Sequence, residues 1–201
     1  MARRGGTSAI LREQLAEEAA RLIHDHGIQD YGLAKRKAAE RFGVRTAGAL
    51  PSNSEIESRV LERQRIFEPD EHTERAIALR RIAADLMQLL DEFQPRVAGP
   101  VLSGAITVST NIELHLFTDA PEEVIFTLEA ERFSVRNCQR RYRFNGQDAV
   151  VVPGFRFSAY GARVDALTFP EKGIRQAPMS PIDGRPMRRA DRAALLALIE
   201  P

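Results

Sequence analysis

The chain has 201 residues, 43% of them hydrophobic, which is enough for one domain with a substantial core or for a small domain with a helical appendage. Its net charge of +1 creates no strong field towards nucleic acid or an acidic membrane. The single cysteine, Cys138, excludes an internal disulfide and a cysteine-cluster metal site. Because no apolar signal core and no membrane-length apolar run occurs, we expect a cytoplasmic protein without membrane contact.

The first part of the chain, residues 1–72, is predicted to be helical. Residues 1–8 are basic and glycine-rich and are predicted to be disordered. Apolar residues at helical spacing predict a helix over 9–26, and a second helix over 31–42 has Asp30 as its N-cap. This pair resembles a helix-turn-helix, but paired short helices are common, and a helical packing unit is the simpler interpretation.

Two further helices follow in the sequence. Ser54 and Glu57 have the spacing of a capping box, which predicts a helix from there to about residue 67. A longer apolar stripe predicts a helix over 73–93, and Pro95 ends it.

From residue 96 onwards strand patterns alternate with helical ones, so residues 73–201 are predicted to form an α+β domain. The predicted strands lie in the segments RVAGPVLSG, NIELHLF, RNCQRRYRF, DAVVVPGFRFSAYG and ARVDALTFP. Helices are predicted in APEEVIFTLEAERF and ADRAALLALIE.

The segment VLSGAITVSTNIELHLF carries the candidate chemistry. A small-residue turn, Ser103–Gly104, precedes a strand in which polar and apolar residues alternate. Asn111, Glu113 and His115 share one face of this strand, because residues two apart point to the same side. Glu113 belongs either to a site or to a solvated face, and His115 either contacts a phosphate or is a surface residue.

Four features follow one another along the chain: a helix, a small-residue turn, a strand with the acid Glu113, and a later strand with the acid Asp165. In this order the chain resembles the nucleotidyltransferase superfamily, the fold of DNA polymerase beta and of the minimal nucleotidyltransferases. The resemblance covers about residues 75–170. It implies a mixed sheet with flanking helices, a nucleoside triphosphate as ligand, Mg²⁺ as cofactor, and nucleotidyl transfer to an acceptor that the sequence leaves open.

The resemblance also implies roles for particular residues. Glu113 and Asp165 are expected to be catalytic and to hold Mg²⁺ together with Asn111, while Ser103 and Gly104 seat the phosphates. The family has an acid where this chain has Asn111, and its turn reads Gly-Ser rather than Ser-Gly. The alternative is therefore a catalytically inactive module of the same fold that binds RNA or a protein partner.

Arginines are concentrated around the strand RNCQRRYRF. Arg141 and Arg143 are expected to bind the nucleotide, because guanidinium groups suit phosphate contacts. They alternate with Tyr142 and Phe144, which could stack on a base but are better explained as the core face of the strand.

Overall fold

The computed structural model describes residues 3–44, 50–67, 69–145 and 148–199. Within these ranges the chain forms seven α-helices and a five-stranded mixed sheet, which confirms the predicted α+β class. It divides into two compact units. The first comprises Met1–His72, Thr107–Thr110 and Pro181–Asp183, and the second comprises Thr73–Ile106, Asn111–Ser180 and Gly184–Pro201.

The first unit contains the helices α1 (Arg3–His26), α2 (Tyr31–Arg41) and α3 (Asn53–Phe67). The helix α1 begins earlier than predicted, so the backbone from Arg3 onwards is helical; residues 1 and 2, for which disorder was also predicted, lie outside the described residues. It ends where predicted, before Gly27, whose φ of 64° leaves the helical region.

Of the two predicted N-caps, the one for α2 is correct and the one for α3 is wrong. Asp30 caps α2 as predicted, since its carboxylate accepts a hydrogen bond from the Leu33 N–H at 2.7 Å. The capping box of α3 is formed by Ser52 and Glu55 instead of Ser54 and Glu57. The Ser52 hydroxyl accepts from the Glu55 N–H at 3.2 Å, and the Glu55 carboxylate accepts from the Ser52 N–H at 2.6 Å. Both pairs have the same spacing, so the sequence pattern fits either start.

The second unit contains the sheet and, from Thr73 onwards, the remaining helices. The predicted helix over 73–93 is α4 (Pro69–Leu89), followed by a short 3₁₀ helix (Asp91–Phe93). The elements that follow are β1 (Arg96–Ala98), α5 (Pro100–Ser103), β2 (Ile112–Phe117), α6 (Pro121–Ala130), β3 (Arg136–Arg143), β4 (Ala149–Ala159), β5 (Ala162–Phe169), a 3₁₀ helix (Glu171–Arg175) and α7 (Arg192–Leu196).

The strand order in the sheet is β1-β2-β5-β4-β3. The pairs β1–β2, β5–β4 and β4–β3 are antiparallel, whereas β2 and β5 run parallel through the centre. In this register Glu113 of β2 lies opposite Asp165 of β5 and also opposite Ala98 of β1. The parallel pair therefore brings two acids that are far apart in sequence onto neighbouring positions of one sheet face.

The two faces of the sheet differ in chemistry. One face, here called the apolar face, packs against the helices through buried residues such as Leu86, Val97, Ile112, Leu114, Val124, Leu128, Phe155 and Val164. The other, here called the polar face, carries Glu113, His115 and Asp165. It also carries a second apolar cluster of Phe117, Tyr142, Val152, Leu167 and Phe169, against which Cys138, Phe144, Ile174 and Met187 pack. Tyr142 and Phe144 thus belong to a core, in line with the preferred interpretation.

Among the described residues, none of the helices combines the length and the apolar character that crossing a membrane requires. The cytoplasmic location expected from the sequence stays a prediction.

Gly154 of β4 is expected to tolerate no side chain. A Cβ atom at this position would lie 2.4 Å from the carbonyl oxygen of Ala166 and 2.8 Å from the Cα atom of Leu167, both on the paired strand β5. We expect Gly154→Ala to lower the free energy of unfolding by about 1–3 kcal/mol, because the backbone must shift to make room. Urea denaturation followed by circular dichroism measures this.

The matched control is Ser158→Ala, an exposed position on the same strand, which should change the free energy of unfolding by less than about 0.5 kcal/mol. Equal stability of the two variants would contradict the close packing of β4 on β5.

Candidate functional site

Two carboxylates lie side by side on the polar face of the sheet. Glu113 and Asp165 are register partners on the parallel strands β2 and β5, and only 5% and 2% of their surfaces are exposed. All six residues of β2 are buried, so the alternation of its sequence does not mark a solvated face. Two buried like charges at neighbouring positions require positive partners.

Asp165 receives its charge partner from β4. The Nε and Nη2 atoms of Arg156 donate to its two oxygens at 2.6 and 3.1 Å, in the two-pronged geometry that guanidinium and carboxylate groups favour. Its Oδ2 atom also accepts from the Asn111 amide at 3.3 Å and from Arg140 Nη2 at 3.4 Å. Asn111 therefore acts towards Asp165 as a hydrogen-bond donor.

Glu113 is held by three donors. Its Oε1 atom accepts from the Tyr142 hydroxyl at 2.6 Å and lies 3.0 Å from His115 Nε2, while its Oε2 atom accepts from Arg140 Nη1. Burial alone would raise the pKa of Glu113, but the hydrogen bond from His115, the charge of Arg140 and the hydrogen bond from Tyr142 outweigh it and hold the pKa at about 2. The carboxylate is thus fully ionised at neutral pH although it is buried.

His115 is completely buried, so it is not the surface residue that the sequence allowed. Burial, together with the positive charges of Arg189 and Arg140, lowers its pKa more than the neighbouring Glu113 raises it, and the ring is therefore neutral near pH 7. Because an ionised carboxylate only accepts, the proton of the neutral ring is assigned to Nε2, facing Glu113. The Nδ1 atom is then an acceptor, and it has no hydrogen-bond partner among the described residues.

The structure brings three of the predicted site residues together, namely Asn111, Glu113 and Asp165. Ser103 and Gly104, predicted to seat phosphates, form the C-terminal end of α5. The glycine whose backbone lies against Glu113 is Gly99. A Cβ atom there would lie 3.3 Å from Glu113 Oε2. A Gly-Pro step directly after a short apolar strand was the sequence signal for this turn.

Arg141 and Arg143 do not reach the carboxylates. They alternate with Tyr142 along β3, and since Tyr142 points to the polar face, they point to the other side. The arginines that contact the acids are Arg140 and Arg156, neither of which we predicted. The sequence contained part of the signal for Arg140, because residues two apart share a face and a core-facing Tyr142 places Arg140 on the same face. That this face meets Glu113 depends on the register between the strands.

The oxygens of Glu113 and Asp165, as arranged here, do not fit a magnesium ion. Mg²⁺ needs carboxylate oxygens with free lone pairs in a near-octahedral shell. Each oxygen of Glu113 and Asp165 already accepts a hydrogen bond from the protein, and Arg140 neutralises charge on both groups. Within the described part of the chain, no group of three or more histidine, cysteine, aspartate or glutamate side chains is arranged to hold a metal.

No protein-family model, no curated protein and no solved structure matches this chain. Any function proposed for it therefore depends on the chemistry of its own residues. The residues that matter most are the buried acids, the arginines that neutralise them and the exposed arginines of β3, which form no ion pair with the described residues.

Acid is expected to destabilise the protein through Glu113. Its folded pKa of about 2 is below the ordinary value of 4.5. The stabilisation is therefore complete above about pH 5 and is lost as the pH falls through 4.5 towards 2. A shift of this size corresponds to about 3 kcal/mol. Urea denaturation at several pH values and constant ionic strength should show this loss for the wild type and a flatter pH dependence for Glu113→Gln.

The control is Glu129→Gln, which changes an exposed glutamate of α6 and should keep the pH dependence of the wild type. If Glu113→Gln and the wild type lost stability equally between about pH 5 and pH 2, the buried ionised state of Glu113 would be wrong.

Proposed function

We propose that this chain is a non-catalytic binding module on a nucleotidyltransferase-like scaffold. The observation that carries the proposal is the saturation of both buried acids: all four oxygens of Glu113 and Asp165 accept hydrogen bonds from neighbouring side chains. Two carboxylates face two guanidinium groups, those of Arg140 and Arg156, so the cluster is close to neutral. A neutral, fully bonded cluster has little attraction for a divalent cation.

The scaffold part of the proposal has its own support. Glu113 and Asp165 occupy neighbouring positions of parallel strands, and Gly99 follows β1 directly and lies against Glu113. The two acids follow the order of parts that the resemblance implies, with Asn111 at the position of the absent acid, whereas the turn against Glu113 is formed by Gly99 and not by Ser103–Gly104. Function can change on such a scaffold while its geometry is kept.

The strands β3 and β4 supply the binding surface in this proposal. They carry five arginines and no carboxylate. Arg140 and Arg156 are used by the buried acids, whereas Arg136, Arg141 and Arg143 are exposed and form no ion pair with the described residues. The strand β3 is also the last strand on its side of the sheet. Among the described residues the Met179 N–H donates to the Arg143 carbonyl oxygen at 2.7 Å, and the edge before Arg143 remains available to a further strand.

An extended acidic segment of a protein partner fits this surface better than RNA does. A peptide added to β3 would gain main-chain hydrogen bonds, and acids at alternate positions would meet Arg141 and Arg143, which lie about 7 Å apart on one side. The aromatic ring of β3, Tyr142, is buried and offers no stacking surface to a base. The net charge of +1 also favours a short acidic segment over a long polyanion.

Binding can be measured by fluorescence anisotropy with a labelled peptide that carries glutamate at alternate positions between β-branched residues. We expect this peptide to bind more tightly than oligouridine of similar charge. The double variant Arg141→Glu with Arg143→Glu should weaken binding at least about tenfold, because it reverses the charge that faces the peptide. Arg81→Glu, at an exposed position of α4, is the control and should bind normally.

A second peptide separates strand addition from charge attraction. It keeps the glutamates but has proline at the intervening positions, so it cannot pair with β3. Equal binding of both peptides would exclude strand addition, and tighter binding of oligouridine that depends on the same arginines would identify RNA as the partner instead.

Magnesium-dependent nucleotidyl transfer, which the resemblance implies, is the second candidate function. The observation in its favour is that Asn111, Glu113 and Asp165 lie together. It requires Arg140 and Arg156 to leave the acids, and their side chains, 40% and 52% exposed, have room to move.

Isothermal titration with ATP, GTP, CTP and UTP, with and without Mg²⁺, decides between the two candidates. We expect magnesium to add no nucleotide binding, because the acids are already neutralised. Magnesium-dependent binding that Glu113→Gln removes and Glu129→Gln preserves would overturn the non-catalytic proposal in favour of transfer.

A further inference from the structure

A second pair of arginines lies on the polar face beside β1, away from the two acids. The chain before α7 bridges to β1, where Val97 and Ala190 exchange backbone hydrogen bonds of 2.9 and 3.0 Å. Val97 packs into the core of the apolar face. Arg96 precedes Val97 and Arg189 precedes Ala190. Because successive residues of an extended chain point to opposite sides, both arginines point to the polar face.

The guanidinium group of Arg189 is fixed in place. Its Nη2 atom donates to the carbonyl oxygens of Gly173 and Ile174 at 3.2 and 3.1 Å, and its central carbon lies 5.1 Å from the ring centre of Phe117. Its Nη1 atom is buried and has no hydrogen-bond partner among the described residues. A buried donor of a charged group that lacks a partner is costly, so a ligand or water is expected there.

The charge around Arg189 is uncompensated. Neither Arg189 nor Arg96 forms an ion pair with a carboxylate of the described residues, and Arg96 Nη1 donates to the carbonyl oxygen of Pro95 at 2.9 Å. Burial lowers the pKa of Arg189, and the positive charge of Arg96 lowers it further. Two guanidinium groups that repel each other on one face suit an anion between them.

His115 adds an acceptor to these donors. It is the register partner of Arg96 across β1 and β2, and its buried Nδ1 atom has no partner among the described residues. Arg189 is close enough for its charge to act on the imidazole. The surroundings therefore suit a small anion that accepts hydrogen bonds from two arginines and donates one hydroxyl proton to a neutral histidine.

We propose that Arg96, Arg189 and His115 form a site for hydrogen phosphate. Inorganic phosphate has negatively charged oxygens and, near neutral pH, keeps at least one hydroxyl group. Sulfate has a similar size and charge but no hydroxyl group at that pH, so the site should discriminate between the two anions. This site uses none of the residues of the peptide surface on β3, and it meets the network around Glu113 and Asp165 only at His115, whose Nε2 atom faces Glu113.

Isothermal titration of the full chain with sodium phosphate and sodium sulfate, at constant ionic strength, tests the proposal. We expect sulfate to bind at least about tenfold more weakly than phosphate, since it leaves His115 Nδ1 without a donor. Arg189→Met and Arg96→Met should each weaken phosphate binding at least about tenfold, because a charge-assisted hydrogen bond is lost. The control is Arg188→Met, which removes an exposed arginine next to the site.

Circular dichroism and thermal unfolding show whether each variant folds. If one of the two arginine variants folds poorly, the other still tests the site. A phosphorus NMR titration of the folded variants provides a second measure of binding. Absence of phosphate binding by the wild type, equal binding of phosphate and sulfate, or unchanged binding by both folded Arg→Met variants would each overturn the site.

Discussion

The structure depends on one electrostatic constraint, the burial of Glu113 and Asp165 at neighbouring positions of parallel strands. Two ionised carboxylates in this position repel each other and lose their hydration, so both must be paired inside the protein. Arg140 bridges the two groups, and Arg156 binds Asp165 from the other side. The hairpin β3–β4 therefore provides the charge that allows the centre of the sheet to be acidic.

This constraint divides the arginines of the hairpin into two groups. Arg140 and Arg156 face inwards and neutralise the acids, while the alternation of β3 turns Arg141 and Arg143 to the opposite side. Local charge balance around the acids is thus compatible with a positive edge strand, whose arginines Arg141 and Arg143 form no ion pair with the described residues. The total net charge of the chain, +1, hides this difference because it averages over both groups.

The polar face has two regions with opposite chemistry. Around the acids every carboxylate oxygen is satisfied, whereas beside β1 buried nitrogen atoms of Arg189 and His115 have no partner in the described residues. His115 connects the regions, since its Nε2 atom contacts Glu113 and its Nδ1 atom remains an acceptor. An unsatisfied polar group inside a folded protein indicates a ligand more directly than a saturated one does.

The sequence by itself determined the α+β class and most strands and helices, because periodicity and caps are local properties of the chain. That Asp165 lies beside Asn111 and Glu113 was expected only from the resemblance, and the register of β2 on β5 decided it. Local patterns could not distinguish Ser52 from Ser54 as the cap of α3, because both pairs have the same spacing. Only the tertiary structure decided the roles of Arg140, Arg156 and Gly99, since each depends on register between strands that are distant in sequence. The same register buried His115 and turned Arg141 and Arg143 away from the acids, because a shift of one residue exchanges the two faces of a strand.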